Sequence, residues 1–267
     1  MKISAVIIAK NEAAKIRDAI SSLAFADEIL LIDSESTDDT VAVAESMGAR
    51  VIIHPWMGFS KQKQLGVDSA TNDWILSIDA DERVSPELRH ELENFKENPE
   101  EQPVAFSIPR LSFYLGRPIL HCGWYPDRQI RFFNRNHARW NGRTIHESIE
   151  ADGKIGKLSG NIFHYSVDDS SHHHRMIGER YAPMSALASY EAGKKGSLLK
   201  ILTAPVAAFI RNYFLKAGFA DGLSGFAICW FSAHHAFLKN LILWELSSGI
   251  RQPQDIHETS QGSRIES

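Results

Sequence analysis

Cysteine is nearly absent: the 267 residues include two, Cys122 and Cys229, in no metal-ligand spacing. That excludes a disulfide framework and a cysteine-built zinc site, and it points to a reduced, cytosolic setting. An excess of positive charge is also missing, and a formal net charge of −4 argues against a dedicated nucleic-acid binder. There is no internal repeat, and no low-complexity segment beyond His172-His173-His174. Long uninterrupted apolar runs are lacking too. The first run, Ile3–Ala9, stops at Lys10-Asn11-Glu12. It is too short for a signal-peptide core followed by a cleavage site, and it fits a first buried strand better. Leu223–Trp244 has the length of a membrane span, but His234, His235, Lys239 and Asn240 interrupt it. Lysine in hydrocarbon is costly, so a helix lying in the membrane plane or packed on the domain is expected instead.

What is present is enough for a full core, with 43% hydrophobic and 10% aromatic residues. Charge is uneven. Residues 194–251 carry seven Lys or Arg against Asp221 and Glu245, and nine of the 26 aromatics fall between Phe209 and Trp244. A basic, aromatic-rich tail behind an acidic domain predicts a surface that meets anionic lipid. Within it Leu199, Leu202, Val206, Phe209 and Tyr213 step by three and four, an amphipathic helical stripe.

The first 81 residues alternate strand and helix signals. Apolar runs predict strands at Ile3–Ala9, Glu28–Asp33, Arg50–Ile53 and Trp74–Asp79. Between them, helices are predicted from Asn11 (with Ile16, Ile20 and Leu23 at helical spacing), over Asp38–Met47 and over Phe59–Ala70. Such alternation implies a parallel sheet built by right-handed crossovers. Ser85–Phe95 reads as a helix with Ser85 as cap and Pro86 in its first turn. Strands are then expected at Pro103–Arg110, Gln129–Phe133, Arg143–Ile149 and Asn161–Ser166, with an aromatic, glycine-rich loop over 112–127 and helices from Ser171.

The most informative stretch is Trp74–Glu82, an apolar strand running into Asp79-Ala80-Asp81-Glu82. Carboxylates at i and i+2 of an extended segment share a side, and they repel unless a cation or a donor-rich ligand lies between them. Hard oxygen ligands suit Mg²⁺ or Mn²⁺, which commonly accompany phosphate. The stretch therefore predicts a metal-diphosphate site at the carboxyl edge of the sheet.

Taken in order, Ile7-Ile8-Ala9-Lys10-Asn11-Glu12, Ile32-Asp33-Ser34 with Ser36–Thr40, and Asp79-Ala80-Asp81-Glu82 resemble the family-two inverting glycosyltransferases of GT-A fold. Trp140-Asn141-Gly142…His146-Glu147 and Gly218-Phe219-Ala220-Asp221-Gly222 resemble the lipopolysaccharide-core β-1,4-glucosyltransferase group within it. The resemblance runs from about residue 3 to 245. It implies a uridine site lined by Ala9, Asn11, Glu12 and Asp33, with Lys63 and Gln64 beside the nucleotide. It places Asp79 and Ala80 at the ribose or the metal's water shell, and Asp81 on the metal. An inverting transfer also needs a base for the acceptor hydroxyl. Asp127, after the aromatic pair Trp124-Tyr125 whose faces could stack on a sugar, and Glu147 are the two candidates. His146 and His164 are candidates for phosphate or metal contact, and Arg128 and Arg131 for diphosphate or an anionic acceptor.

The resulting expectation is a GT-A domain, a mixed α/β sheet, over residues 1–170. A helical membrane-associating region over 171–250 and a flexible tail over 251–267 follow it. The implied reaction moves a hexose, glucose first, from a UDP-sugar to a lipid-linked acceptor, a heptose of the lipopolysaccharide core. It would take place peripherally on the cytoplasmic face of the inner membrane. Transfer to a polyprenyl phosphate, or a non-catalytic membrane scaffold, are the alternatives.

Overall fold

The computed structural model describes residues 1–97, 103–143 and 147–256. The expectations placed on His146, on part of the strand at 143–149 and on the tail from 257 lie outside these residues. The chain forms two compact units, one of residues 1–111 and 126–166, the other of 112–125 and 167 onward. This differs from a single cut at 170. Tyr114, Ile119 and Cys122 of the aromatic loop share a core with Ile228 and Cys229, which draws that loop into the helical unit.

In the first unit, β1 (Ile3–Ala9), α1 (Ala13–Ser22), β2 (Glu28–Asp33), α2 (Thr40–Ser46), β3 (Arg50–Ile53), α3 (Phe59–Ser69) and β4 (Trp74–Asp79) follow one another. The four strands are parallel in the order β3-β2-β1-β4. The apolar runs of β1, β2 and β4 are continuous because both faces are covered, whereas the edge strand β3 stays partly exposed. Ile3, Ala5 and Ile7 of β1 enter one core with Ile16, Ile20 and Leu23, while Val6 and Ile8 enter another with Val67. Gly66 lets α3 lie tight on the sheet: a Cβ there would stand 2.3 Å from Val6 Cγ1. The first helix starts at Ala13, two residues later than the pattern predicts. Asn11 is held in the left-handed region (φ 55°), which asparagine tolerates, and its Oδ1 accepts from Thr37 N at 2.8 Å.

Beyond β4 come β5 (Glu82–Val84), α4 (Pro86–Glu97), β6 (Ala105–Tyr114), β7 (Arg117–Pro118) and β8 (Asp127–Asn134). Short strands β9 (Ala138–Trp140), β10 (Ile149–Ala151), β11 (Ile155–Lys157) and β12 (Ile162–His164) complete the set. β8 pairs antiparallel with β4 and with β6, extending the parallel half into a mixed sheet. Ser85 caps α4 through its Oγ, which accepts from Leu88 N at 3.2 Å. Trp74, Phe95 and Phe132 stack edge-on or tilted at 4.6–5.0 Å and tie α4 to β4 and β8. Between the predicted strands at Gln129–Phe133 and Arg143–Ile149 the chain also makes β9, which pairs with β10 as a separate two-stranded sheet.

The helical unit holds α5 (Ser170–Arg175), α6 (Ala182–Glu191), α7 (Leu198–Ile210) and α8 (Gly222–Ser247). Asp169 caps α5. The histidine triplet is not uniformly solvated: His173 is buried, its Nδ1 3.3 Å from Tyr114 Oη. α8 is pinned at both halves, by Ile228 and Cys229 and by Ile242, Leu243 and Leu246, the latter joined by Ile256. The first residues of the expected flexible tail are thus packed. The first part of the stripe faces outward, with Leu199 69% and Leu202 71% exposed, whereas Phe209 and Tyr213 pack onto the core around Ile228 and Cys229. Among the described residues it is Leu198–Leu215, not α8, that is long and apolar enough to cross a membrane by length and composition.

Candidate active site

The carboxyl ends of β1, β2 and β4 lie side by side, with Ala9 opposite Asp33 and Ile8 opposite Asp79. That register gathers the predicted donor residues at one sheet edge. Asp33 is buried, and its Oδ2 accepts from Ser36 N at 2.8 Å. Ser36 Oγ in turn accepts from Asn11 N at 2.9 Å, and Glu12 N donates to Thr40 Oγ1 at 2.8 Å. The loop after β2 is therefore laced onto the exit of β1 by short polar side chains, and Asp33 caps that loop.

Asp79 and Asp81 do not share a side of one extended strand. The strand ends at Asp79, and a turn at Ala80-Asp81 separates it from β5, giving the two carboxylates different partners. Lys63 Nζ is 2.8 Å from Asp79 Oδ1, and Arg131 Nη2 is 3.0 Å from Oδ2. Burial alone would raise the Asp79 carboxyl, but Arg131 and then Lys63 hold it far below the usual carboxylate range. Arg131 Nη2 also meets Glu82 Oε1 at 2.9 Å, and Glu82 Oε2 accepts from Asp79 N at 2.9 Å. Glu82 is fully buried. Such a charge is tolerated only when paired and hydrogen-bonded, as here. Lys63 stacks over Trp140, 4.9 Å from the ring centroid.

Asp81 has a different side-chain partner, its Oδ2 standing 3.3 Å from His164 Nε2, though its charge also acts on Arg131. The carboxylate oxygen suits Mn²⁺ or Mg²⁺, and the imidazole nitrogen beside it favours Mn²⁺ of the two. Asp79 is ion-paired to Lys63 and Arg131 and is not part of that pair. No group of three His, Cys, Asp or Glu side chains converges as a metal site among the described residues. A cation here would take its remaining ligands from phosphate and water, as Mg²⁺ sites usually do.

Asp127, at the start of β8, pairs with Arg110: Nη2 is 2.6 Å and Nε 2.9 Å from Oδ2. Gln129 Nε2 donates to Oδ1 at 2.8 Å. Burial would raise this carboxyl, and Arg110 and Gln129 pull it below its ordinary value, so it is ionised at neutral pH. Glu147 stands in the β9–β10 connection, half-buried, with no hydrogen bond or ion pair among the described residues. Arg128 is structural, donating to the carbonyls of Ser107 and Leu158 at 3.1 Å each. Trp124 packs against Tyr114 and His173 within the helical unit, so its ring serves that core.

On α3 the structure separates Gln64 from the strand ends. Gln64 Nε2 donates to Asp68 and its Oε1 accepts from Trp140 N at 2.9 Å. The amide that reaches the β2 loop is Gln62, buried, with Nε2 3.2 Å from Ser34 Oγ and from His54 O. Each helical residue turns by about 100°, so Gln62 and Gln64 point nearly opposite ways, and sequence spacing alone did not say which of the two faced the edge. Gln62 Oε1 and Arg131 Nη1 are buried without a hydrogen-bond partner among the described residues. Native folds rarely leave such atoms unpaired, and a ligand with polar groups would satisfy them.

A parallel α/β half extended by antiparallel strands, with a basic and acidic cluster at its carboxyl edge, is the architecture of a nucleotide-sugar transferase of GT-A type. The chain matches the model of glycosyl transferase family 2 over residues 4–150, and it belongs to that family. A glycosyltransferase of Rickettsia typhi is 34% identical over 259 residues, covering 92% of this chain and 88% of its own length. The lipopolysaccharide core biosynthesis glycosyltransferase LpsC of Rhizobium meliloti is 30% identical over 253 residues, covering 89% and 90%. Glucosyl-3-phosphoglycerate synthase of Mycobacterium tuberculosis, solved with Mn²⁺, UDP and phosphoglyceric acid, is 29% identical over 43% of this chain and 44% of its own. Its TM-score is 0.34.

Proposed function

We propose that this glycosyltransferase moves a hexose, glucose first among candidates, from a UDP-sugar to a heptose of the lipopolysaccharide inner core, with inversion. The observation that carries the donor half is the pairing of Asp81 with His164 beside the Lys63–Asp79–Arg131 network. The acceptor half rests on likeness to LpsC along nearly the whole chain.

In this reading Ala9, Asn11, Glu12 and Asp33 hold the uridine, and Lys63 and Asp79 fix the floor beneath ribose and diphosphate. Asp81 and His164 would hold a divalent cation, which supplies Lewis-acid neutralisation of charge on the departing UDP. Asp127 takes the proton from the acceptor hydroxyl as the new glycosidic bond forms opposite the leaving group, and Arg110 orients it. Glu147 is the second candidate base, favoured by its lack of a partner among the described residues. The outward apolar stripe of α7, with Lys194, Lys195 and Lys200 at its start, supports peripheral attachment to the cytoplasmic face of the inner membrane.

The test is transfer of labelled sugar in detergent, offered heptose-terminated core lipopolysaccharide beside undecaprenyl phosphate. Label on the heptose is expected. Label only on the polyprenyl phosphate would contradict the acceptor assignment.

A further inference from the structure

We infer that Arg117, His121 and Lys216, in the helical unit, bind the phosphate of an anionic phospholipid headgroup at the bilayer surface. The inference rests on the membrane reading above and adds a place and a chemistry to it. Asp221 organises the corner. Its side chain is 6% exposed, and it accepts from His121 Nδ1 and His121 N at 2.8 Å each and from Leu120 N at 3.3 Å. Three donors on one carboxylate fasten the loop after β7 to the turn that opens α8. They also fix the imidazole: with Nδ1 committed, Nε2 is the ring nitrogen left for a ligand.

Two cations flank this pair. The Lys216 side chain lies over Gly123, its Nζ 2.3 Å from where a Cβ would be, and Cys122 N donates to Lys216 O at 3.1 Å. Arg117 Nη1 comes within 3.7 Å of the Cβ position of Gly222, the residue after Asp221. Arg117 and Lys216 are exposed, and neither has an acidic partner among the described residues. Asp221 spends its hydrogen-bonding oxygens on three N–H donors and makes no ion pair with either cation among the described residues, and the two cations outnumber its single charge. Gly218 and Gly225 make the turn possible, since a Cβ on Gly225 would stand 2.0 Å from Gly218 O. The Gly218–Gly222 motif thus has a structural account that leads to this corner.

The neighbours of the cations favour a bilayer over a soluble phosphate. Leu120, Leu215 and Phe219 are 48%, 79% and 56% exposed and adjoin His121, Lys216 and the Asp221 turn in the chain. Bare leucine and phenylalanine side chains beside unpaired cations match an interface with phosphate at one level and acyl chain just below it.

The experiment is flotation of the full chain with phosphatidylcholine vesicles, with and without phosphatidylglycerol. Wild type is expected to float with the anionic vesicles, less so as salt rises. Arg117→Gln/Lys216→Gln should partition roughly 30-fold more weakly, and His121→Asn more weakly again. Lys154→Gln/Lys157→Gln, which changes net charge equally in the other unit, should float as wild type, and both double variants should keep the wild-type unfolding midpoint. Glycerol phosphate should not compete. Equal flotation of the corner variant, equal binding to neutral vesicles, or displacement by glycerol phosphate would each overturn the headgroup site while leaving the membrane reading intact. Failure of wild type to float with any vesicle would overturn both.

Discussion

Lys63 reaches across 2.8 Å to Asp79, so the first carboxylate of the Asp-Ala-Asp turn is neutralised by the chain itself. Arg131 takes the other oxygen and also serves the fully buried Glu82. The two cations are not equivalent. Lys63→Met leaves Asp79 partly exposed and still paired, and should destabilise by about 1–3 kcal/mol. Arg131→Met takes the shared partner from two carboxylates, leaving Asp79 to Lys63 and the fully buried Glu82 to Arg110 at 3.5 Å, and should cost about 3–5 kcal/mol. Urea midpoints at unchanged slope test this order, and a larger loss from Lys63→Met would contradict it.

Gly66→Ala probes the packing that brings α3, and Lys63 with it, onto the sheet. A Cβ 2.3 Å from Val6 Cγ1 and 3.1 Å from Ile32 Cγ1 forces α3 outward. A loss of about 1–3 kcal/mol is expected, together with weaker donor binding as Lys63 leaves Asp79. Unchanged stability would show that α3 is free to move.

Acid should loosen the helical unit through His173. Burial first, and then the nearby His172, push this imidazole down to about 4 from an ordinary 6.5. The unfolded chain therefore binds the extra proton between those values, and stability rises with pH across that window. It is full above about pH 6.5 and lost as pH falls toward 4, by ~3 kcal/mol for this group. His234 and His235, both lowered chiefly by burial, act with the same sign. Thermal midpoints against pH should flatten in His173→Phe, and a slope equal to wild type would refute the assignment.

The two candidate bases separate kinetically. Asp127→Asn should lower kcat for transfer by about 10²–10⁴ with little change in affinity for the UDP-sugar. Glu147→Gln should stay within a few-fold of wild type. The reverse pattern would move the base to Glu147, whose carboxylate lacks the Arg110 pairing that depresses Asp127.

β1 to β4 carry the bounds their apolar runs predict, and β1, β2 and β4 do so because strands buried on both faces are written as continuous hydrophobic segments. The charge network was only partly legible. Asp79 and Lys63 belong to local motifs, whereas Arg110 and Arg131 reach Glu82 from β6 and β8, across 28 and 49 residues. No periodicity announces such a pair. A turn at Ala80-Asp81 likewise overrode the i, i+2 reading of the two carboxylates. The stripe on α7 was visible as a period, but a period does not say whether its face turns to a core or to the outside. β9 and β10, three residues each, are too short to signal themselves.

The most direct measurement is UDP release from a panel of UDP-hexoses, with and without EDTA, by wild type and by Asp81→Ala. The account predicts release that needs a divalent cation, favours one sugar, and disappears in Asp81→Ala while the fold persists. Release that survives both EDTA and the substitution would contradict the role given to Asp81. No release from any donor, even with core lipopolysaccharide present, would contradict the reaction itself.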